Sequence, residues 1–125
     1  MDSIRIQRVD HVTVNITDLE RARSFYGGLL GLKEVPRPES FKFPGTWYRM
    51  ENLDLHLVGR PEPDQPSGRH FAFWLSNVHE AARVFEAKGI ALVWDKLKIE
   101  GVDRFFISDP DGNRLEFQGS DAVVK

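Results

Sequence analysis

The 125-residue chain contains no cysteine. That excludes a disulfide framework and a thiolate metal site, so any bound metal must be held by imidazole and carboxylate. No segment approaches the roughly 20 consecutive apolar residues of a membrane span, and the N-terminal MDSIRIQRVDH lacks the apolar core of a signal peptide. An excess of charge is missing too. Seventeen basic residues stand against nineteen acidic ones, a net charge of -2 spread without runs, which argues against a nucleic-acid surface and against a polybasic membrane anchor. The expectation is a soluble, cytoplasmic protein with a small-molecule partner, folded as a single domain over residues 1–125 around one core.

What is present is a pattern that occurs twice. Residues 9–16 alternate, with Val12, Val14 and Ile16 on one face and His11, Thr13 and Asn15 on the other, the period of a half-buried strand. The period then changes. Thr17 and Asp18 suit an N-cap, and Leu19, Ala22, Arg23, Phe25 and Tyr26 follow at helical spacing, with an end expected near Gly27, Gly28 or Gly31. Residues 36–46, with three prolines and Gly45, read as a loop, and the strand-like runs TWYRM and LDLHLV follow. Residues 60–68, RPEPDQPSG, hold three more prolines and form the natural linker.

Beyond the linker the order repeats. His70 stands 59 residues after His11 at the head of HFAFWL; Ser76 and Asn77 take the places of Thr17 and Asp18, and Ala81 that of Ala22. DRFFIS and NRLEFQ form a hairpin around DPDGN, where Pro110 suits the second turn position and Gly112 or Asn113 can take positive φ. Further short strands in residues 32–35 and 90–94 complete two βαβββ modules, at about residues 8–59 and 69–118. The fold class is α+β, with the modules forming a curved mixed β-sheet trough flanked by helices.

Strand parity then sorts the side chains. In VTVNI, LDLHL, FAFWL and LEF the alternating apolar residues belong to the helix-covered face, which sends His11, His56, His70 and Glu116 to the other face. Three imidazoles and one carboxylate at equivalent repeat positions make a plausible ligand set for one divalent metal, zinc, nickel, cobalt, manganese or iron, with positions left open for water or substrate. His11, His70 and Glu116 form the core of that set. His56 is either a ligand or a neighbouring acid/base, and Glu116 is the second candidate for proton transfer. Trp47, Trp74 and Phe106 would wall the cavity, while Arg49 and Arg104 could hold an anionic substrate group. His79 falls on the second helix and should be solvated. Asp109, Asp111 and Asn113 read as turn chemistry rather than a calcium loop, because the run is short and lacks the later glutamate. The loop at residues 36–46, with Phe41 and Phe43 flanking Lys42, reads as a lid or a partner contact.

The opening DHVTVNITDLERARSFYGGLLGL and the closing RFFISDPDGNRLEF together resemble the vicinal oxygen chelate superfamily, which holds glyoxalase I, extradiol dioxygenases, fosfomycin-resistance proteins and bleomycin-binding proteins. The resemblance runs from about residue 9 to residue 117. It implies metal ligands at His11, His70 and Glu116 and a homodimer. The fourth glyoxalase I ligand, normally a glutamate, falls on His56, a departure from that pattern. What the resemblance implies is metal-dependent lyase or isomerase chemistry of the glyoxalase I type. Alternatives of the same fold are an Fe(II) extradiol dioxygenase and a non-catalytic binder of a small molecule such as an antibiotic.

Overall fold

The computed structural model describes residues 3–122. It resolves two compact units that divide between Asp64 and Gln65, inside the proline-rich linker. In the first unit β1 (His11–Ile16) leads into α1 (Leu19–Arg23), and β2 (Lys33–Val35), β3 (Gly45–Arg49) and β4 (Asp54–Gly59) follow. The second unit repeats the series as β5 (His70–Leu75), α2 (Val78–Ala87), β6 (Val93–Trp94), β7 (Val102–Ser108) and β8 (Arg114–Ser120). Each makes a four-stranded mixed sheet, in the orders β1-β4-β3-β2 and β5-β8-β7-β6. The first and last strands of a unit are parallel neighbours, and the remaining pairs are antiparallel. The duplicated α+β architecture read from the repeat is therefore present, down to the short strands near residues 32–35 and 90–94.

The helices start where the caps predict. The Asp18 carboxylate accepts from the Arg21 N–H at 3.0 Å, and the Asn77 side-chain oxygen accepts from the Glu80 N–H at 3.0 Å. The first helix does not finish as an α-helix. After Arg23 it widens into a π-helical turn over Ser24–Leu29, closed by the Leu30 N–H donating to the Phe25 carbonyl at 2.9 Å. Gly27 and Gly28 are poor α-helix formers, and the wider turn buries both Phe25 and Tyr26. In the second unit Val78, Ala82 and Phe85 form the buried stripe of α2. Ala82, not Ala81, is the buried alanine, since it lies four residues after Val78 and three before Phe85.

Burial alternates as expected in β1 and β4, whereas in β7 and β8 both faces are covered, with residues 105–107 and 115–117 buried in succession. Val14, Ile16, Tyr48, Leu55 and Leu57 close the first core, and Phe105, Ile107, Leu115 and Phe117 the second. Phe85 of α2 packs edge-on against Phe105 and Phe117 at centroid distances of 5.9 and 5.1 Å. Asp109 is buried in the β7–β8 turn, where one carboxylate oxygen accepts from the N–H groups of Asp111 and Asn113 at 2.9 and 2.8 Å. The other accepts from the Asn113 side-chain amide at 2.9 Å, so the loop's own donors occupy the carboxylate and turn chemistry accounts for it.

At the end of β8 the backbone comes close to a neighbour. A Cβ on Gly119 would lie 2.6 Å from the Leu75 carbonyl oxygen and 3.3 Å from the Val78 Cβ. Both strand and helix would have to move. Gly119→Ala is expected to lose about 1–3 kcal/mol of stability, read as a lower urea midpoint at unchanged slope; a wild-type midpoint would contradict this packing. Among the described residues no helix is long and apolar enough to cross a membrane.

Candidate functional site

Pairing in register places the candidate side chains on the helix-free faces. In the first unit His11, Thr13 and Asn15 share a face with Asp54, His56 and Val58 of β4 and with Gly45, Trp47 and Arg49 of β3. His56 lies sandwiched on this face. Its ring stacks on Trp47 at 4.0 Å with 6° between planes and on His11 at 4.1 Å with 18°. The ring stack continues edge-on to Phe41, 5.4 Å from Trp47, and Phe41 meets Phe43 at 5.5 Å. The Arg37 guanidinium donates to the Phe41 carbonyl at 3.2 Å and to that of Phe43, and it lies over the Phe43 ring, so residues 36–46 fold as an organised loop.

His11 Nδ1 sits 2.9 Å from the Asp10 carboxylate. The carboxylate, held below its ordinary range chiefly by this bond, can only accept, so Nδ1 carries the proton and Nε2 of a neutral ring presents its lone pair. His56 titrates below its ordinary 6.5, first because burial disfavours the cation and then because His11 lies against it; Asp54 and Asp10 oppose the shift. Between the folded value and 6.5 the unfolded chain therefore binds more protons at this residue, so its contribution to stability is present above 6.5 and is lost as pH falls through that window. His56→Phe, which keeps a ring in the stack, should lose less stability than wild type between about pH 7.5 and about pH 5.5 in urea unfolding. Equal losses would contradict the assignment.

In the second unit His70, Ala72 and Trp74 of β5 pair with Arg114, Glu116 and Gln118 of β8, which in turn pair with Ser108, Phe106 and Arg104 of β7. Glu116 is 5% exposed, unusually low for a carboxylate. His70 Nδ1 donates to the Gly68 carbonyl at 2.8 Å, and His70 Nε2 faces Glu116 Oε1 at 3.2 Å. In a neutral imidazole with that tautomer Nε2 is an acceptor, and so is the carboxylate. Two acceptors this close need a cation between them, either a proton or a metal ion. Neutral imidazole plus carboxylate is also the donor chemistry that a borderline divalent metal takes, so the residues present fit such a group.

Arg104 approaches the same Oε1 at 3.5 Å through Nη1, while its Nη2 reaches Asp95 at 3.0 Å and the Leu97 carbonyl at 2.9 Å. Phe106 is buried with its ring edge-on to His70 at 5.1 Å. Trp74 shares the face of His70 and is largely exposed. Arg49 forms a bidentate pair with Asp54 at 3.2 and 3.3 Å, on the same face as His56. His79 is not simply solvated as the sequence suggested: it bonds Asp103 at 2.7 Å and stacks on Trp94 at 5.4 Å, because α2 lays its first turn beside β7.

The candidates thus stand as two groups, His11, His56 and Trp47 in one unit and His70, Glu116, Phe106 and Arg104 in the other. Among the described residues no three His, Asp or Glu side chains gather into a group that could hold a metal ion. Sequence reasoning missed Asp10 and the Gly68 carbonyl, which fix the histidine tautomers. Asp10 could have been found as the carboxylate directly before His11; a backbone carbonyl leaves no such signal.

Two βαβββ units of one topology, each with imidazole on the helix-free face of its sheet, define a duplicated α+β protein. A profile of the Glyoxalase/Bleomycin resistance protein/Dioxygenase superfamily matches residues 8–117, and the chain belongs to that superfamily. It is 28% identical over 130 residues to Glyoxylase I 4 of Arabidopsis thaliana, covering 96% of this chain and 75% of that protein. It is 32% identical over 120 residues to the trivalent organoarsenical cleaving enzyme of Bacillus sp. (strain MD1), covering 86% of this chain and 70% of that one. A crystal structure described as a glyoxalase family protein from Bacillus anthracis superposes with a TM-score of 0.87 at 32% identity, covering 96% and 100% of the two chains.

Proposed function

We propose that this protein is a metal-dependent lyase or isomerase of the glyoxalase I type, acting on a small substrate that chelates through adjacent oxygens. His11, His70 and Glu116 are its metal ligands. His56 is either a fourth ligand or the acid/base beside them. The observation that carries the reading is the 3.2 Å approach of His70 Nε2 to Glu116 Oε1 with Nδ1 already committed to a carbonyl. Members of the superfamily typically bind a divalent metal, and relatives named for glyoxalase I and for organoarsenical cleavage support chemistry of this class. When bound, the metal would act as a Lewis acid that polarises the substrate oxygens.

Within this proposal the protein's own groups divide the work. Glu116 offers a buried carboxylate oxygen that can take a proton from one substrate carbon and return it to the next. His56, uncharged near neutral pH, can accept a proton as the partner base. Phe106 packs against His70 and Trp47 against His56, Trp74 offers an exposed ring to the substrate, and an anionic substrate group would have to draw Arg49 from Asp54 or Arg104 from Asp95. The protein acts as a cytoplasmic homodimer.

The test is metal identification on protein purified without chelator, followed by assay with a hemithioacetal and, under oxygen, with a catechol. Nickel or zinc with isomerisation supports the proposal. Ferrous iron with oxygen uptake would replace it by an extradiol dioxygenase, and a protein that takes up no metal would replace it by a non-catalytic binder.

A further inference from the structure

The helix-free face of the second sheet carries a cation that the proposed chemistry does not use. Arg114 opens β8 two residues before Glu116, on the same face and roughly 7 Å along the strand, and it pairs in register with His70. Its guanidinium carbon lies 3.9 Å from the centre of the Phe106 ring, whose edge meets His70. A guanidinium held over a ring face by its charge still has N–H donors that the ring does not engage.

The other arginine on this face is already engaged. Arg104 is tied to Asp95, the Leu97 carbonyl and Glu116. For Arg114, among the described residues, the contact made is the one with Phe106, and no carboxylate lies within ion-pair distance. Holding a flexible cation over a ring without a counter-charge leaves it uncompensated but with its direction already set. An anion that docks there meets a fork that has lost part of its rotamer freedom beforehand.

We propose that Arg114 is a substrate-specificity residue, which binds a carboxylate or comparable oxyanion carried by the substrate a few bonds from its two chelating oxygens. This rests on the proposed reading of His70 and Glu116 as metal ligands and narrows its substrate class to anionic compounds. Phe106 holds the guanidinium over its ring, and the two-residue step from Arg114 to Glu116 sets how far the anion stands from the donors.

Two probes that differ in one group test it: catechol and 3,4-dihydroxybenzoate, both with adjacent oxygens, the second with an added carboxylate. Binding to the zinc-loaded protein is measured by calorimetry under argon. Wild type should bind 3,4-dihydroxybenzoate about tenfold to a hundredfold more tightly than catechol, the range of a charge-assisted bidentate contact, and the ratio should shrink with added potassium chloride. Arg114→Gln should bring the ratio near one and Arg114→Glu should invert it, with zinc and catechol affinities unchanged in both, which also shows that the variants fold. A wild-type ratio in both variants overturns the role of Arg114 while leaving the metal reading intact. If zinc-loaded wild type binds neither probe, the chelation reading fails, and this assignment with it.

Discussion

Glu116→Gln is expected to fold normally and to bind divalent metal more weakly by more than about 100-fold, since losing a ligand should exceed the 10- to 100-fold cost of losing a ligand's supporting group. Glutamine keeps the volume and an acceptor oxygen. Arg104 keeps Asp95 and the Leu97 carbonyl as partners, and Ala72 and Phe106 still flank the position. What changes is the charge facing His70 Nε2, and charge is what a cation between those atoms needs. Thermal unfolding of the metal-free protein should shift little while calorimetric titration with zinc or nickel loses its heat. A variant that binds metal as wild type does would show that Glu116 is a buried structural acid held by Arg104.

The second large effect is structural. Phe105→Ala should lose about 3–5 kcal/mol of stability, a fall in melting temperature of more than about 10 °C. Phe105 is 0% exposed and contacts Trp94, Phe85 and Phe117 at centroid distances of 5.1, 5.9 and 5.4 Å. Removing its ring leaves the α2 face of the second sheet without its centre, and three rigid aromatic neighbours cannot collapse into the space. Phe106→Leu, one residue along, points to the opposite face and should cost less stability. Similar losses for the two would contradict the alternation of faces in β7.

That alternation is why so much of the fold could be read beforehand. Each strand of the repeat covers a helix on one side with Val, Leu, Ile or Phe, so a period of two marked the strands and the buried face at once. The same parity put His11 and His56 on one face of the first sheet and His70 and Glu116 on one face of the second. The π-helical turn was not legible, because it differs from an α-turn by one hydrogen-bond step and Gly27–Gly28 signals only that a helix weakens. Arg49 paired with Asp54 through the register of a hairpin that residue type does not determine. Arg114 shares the parity of Glu116, yet as a charged residue at a strand start it reads like any solvated position until the Phe106 ring beneath it is seen.

The proposal that His11, His70 and Glu116 are ligands of one divalent cation is tested most directly by metal stoichiometry. Elemental analysis of protein prepared without chelator, set beside His11→Ala, His70→Ala and Glu116→Gln, should give about one ion per chain for wild type and a small fraction of that for each variant. Full metal content in the three variants, or none in wild type after reconstitution, would contradict it.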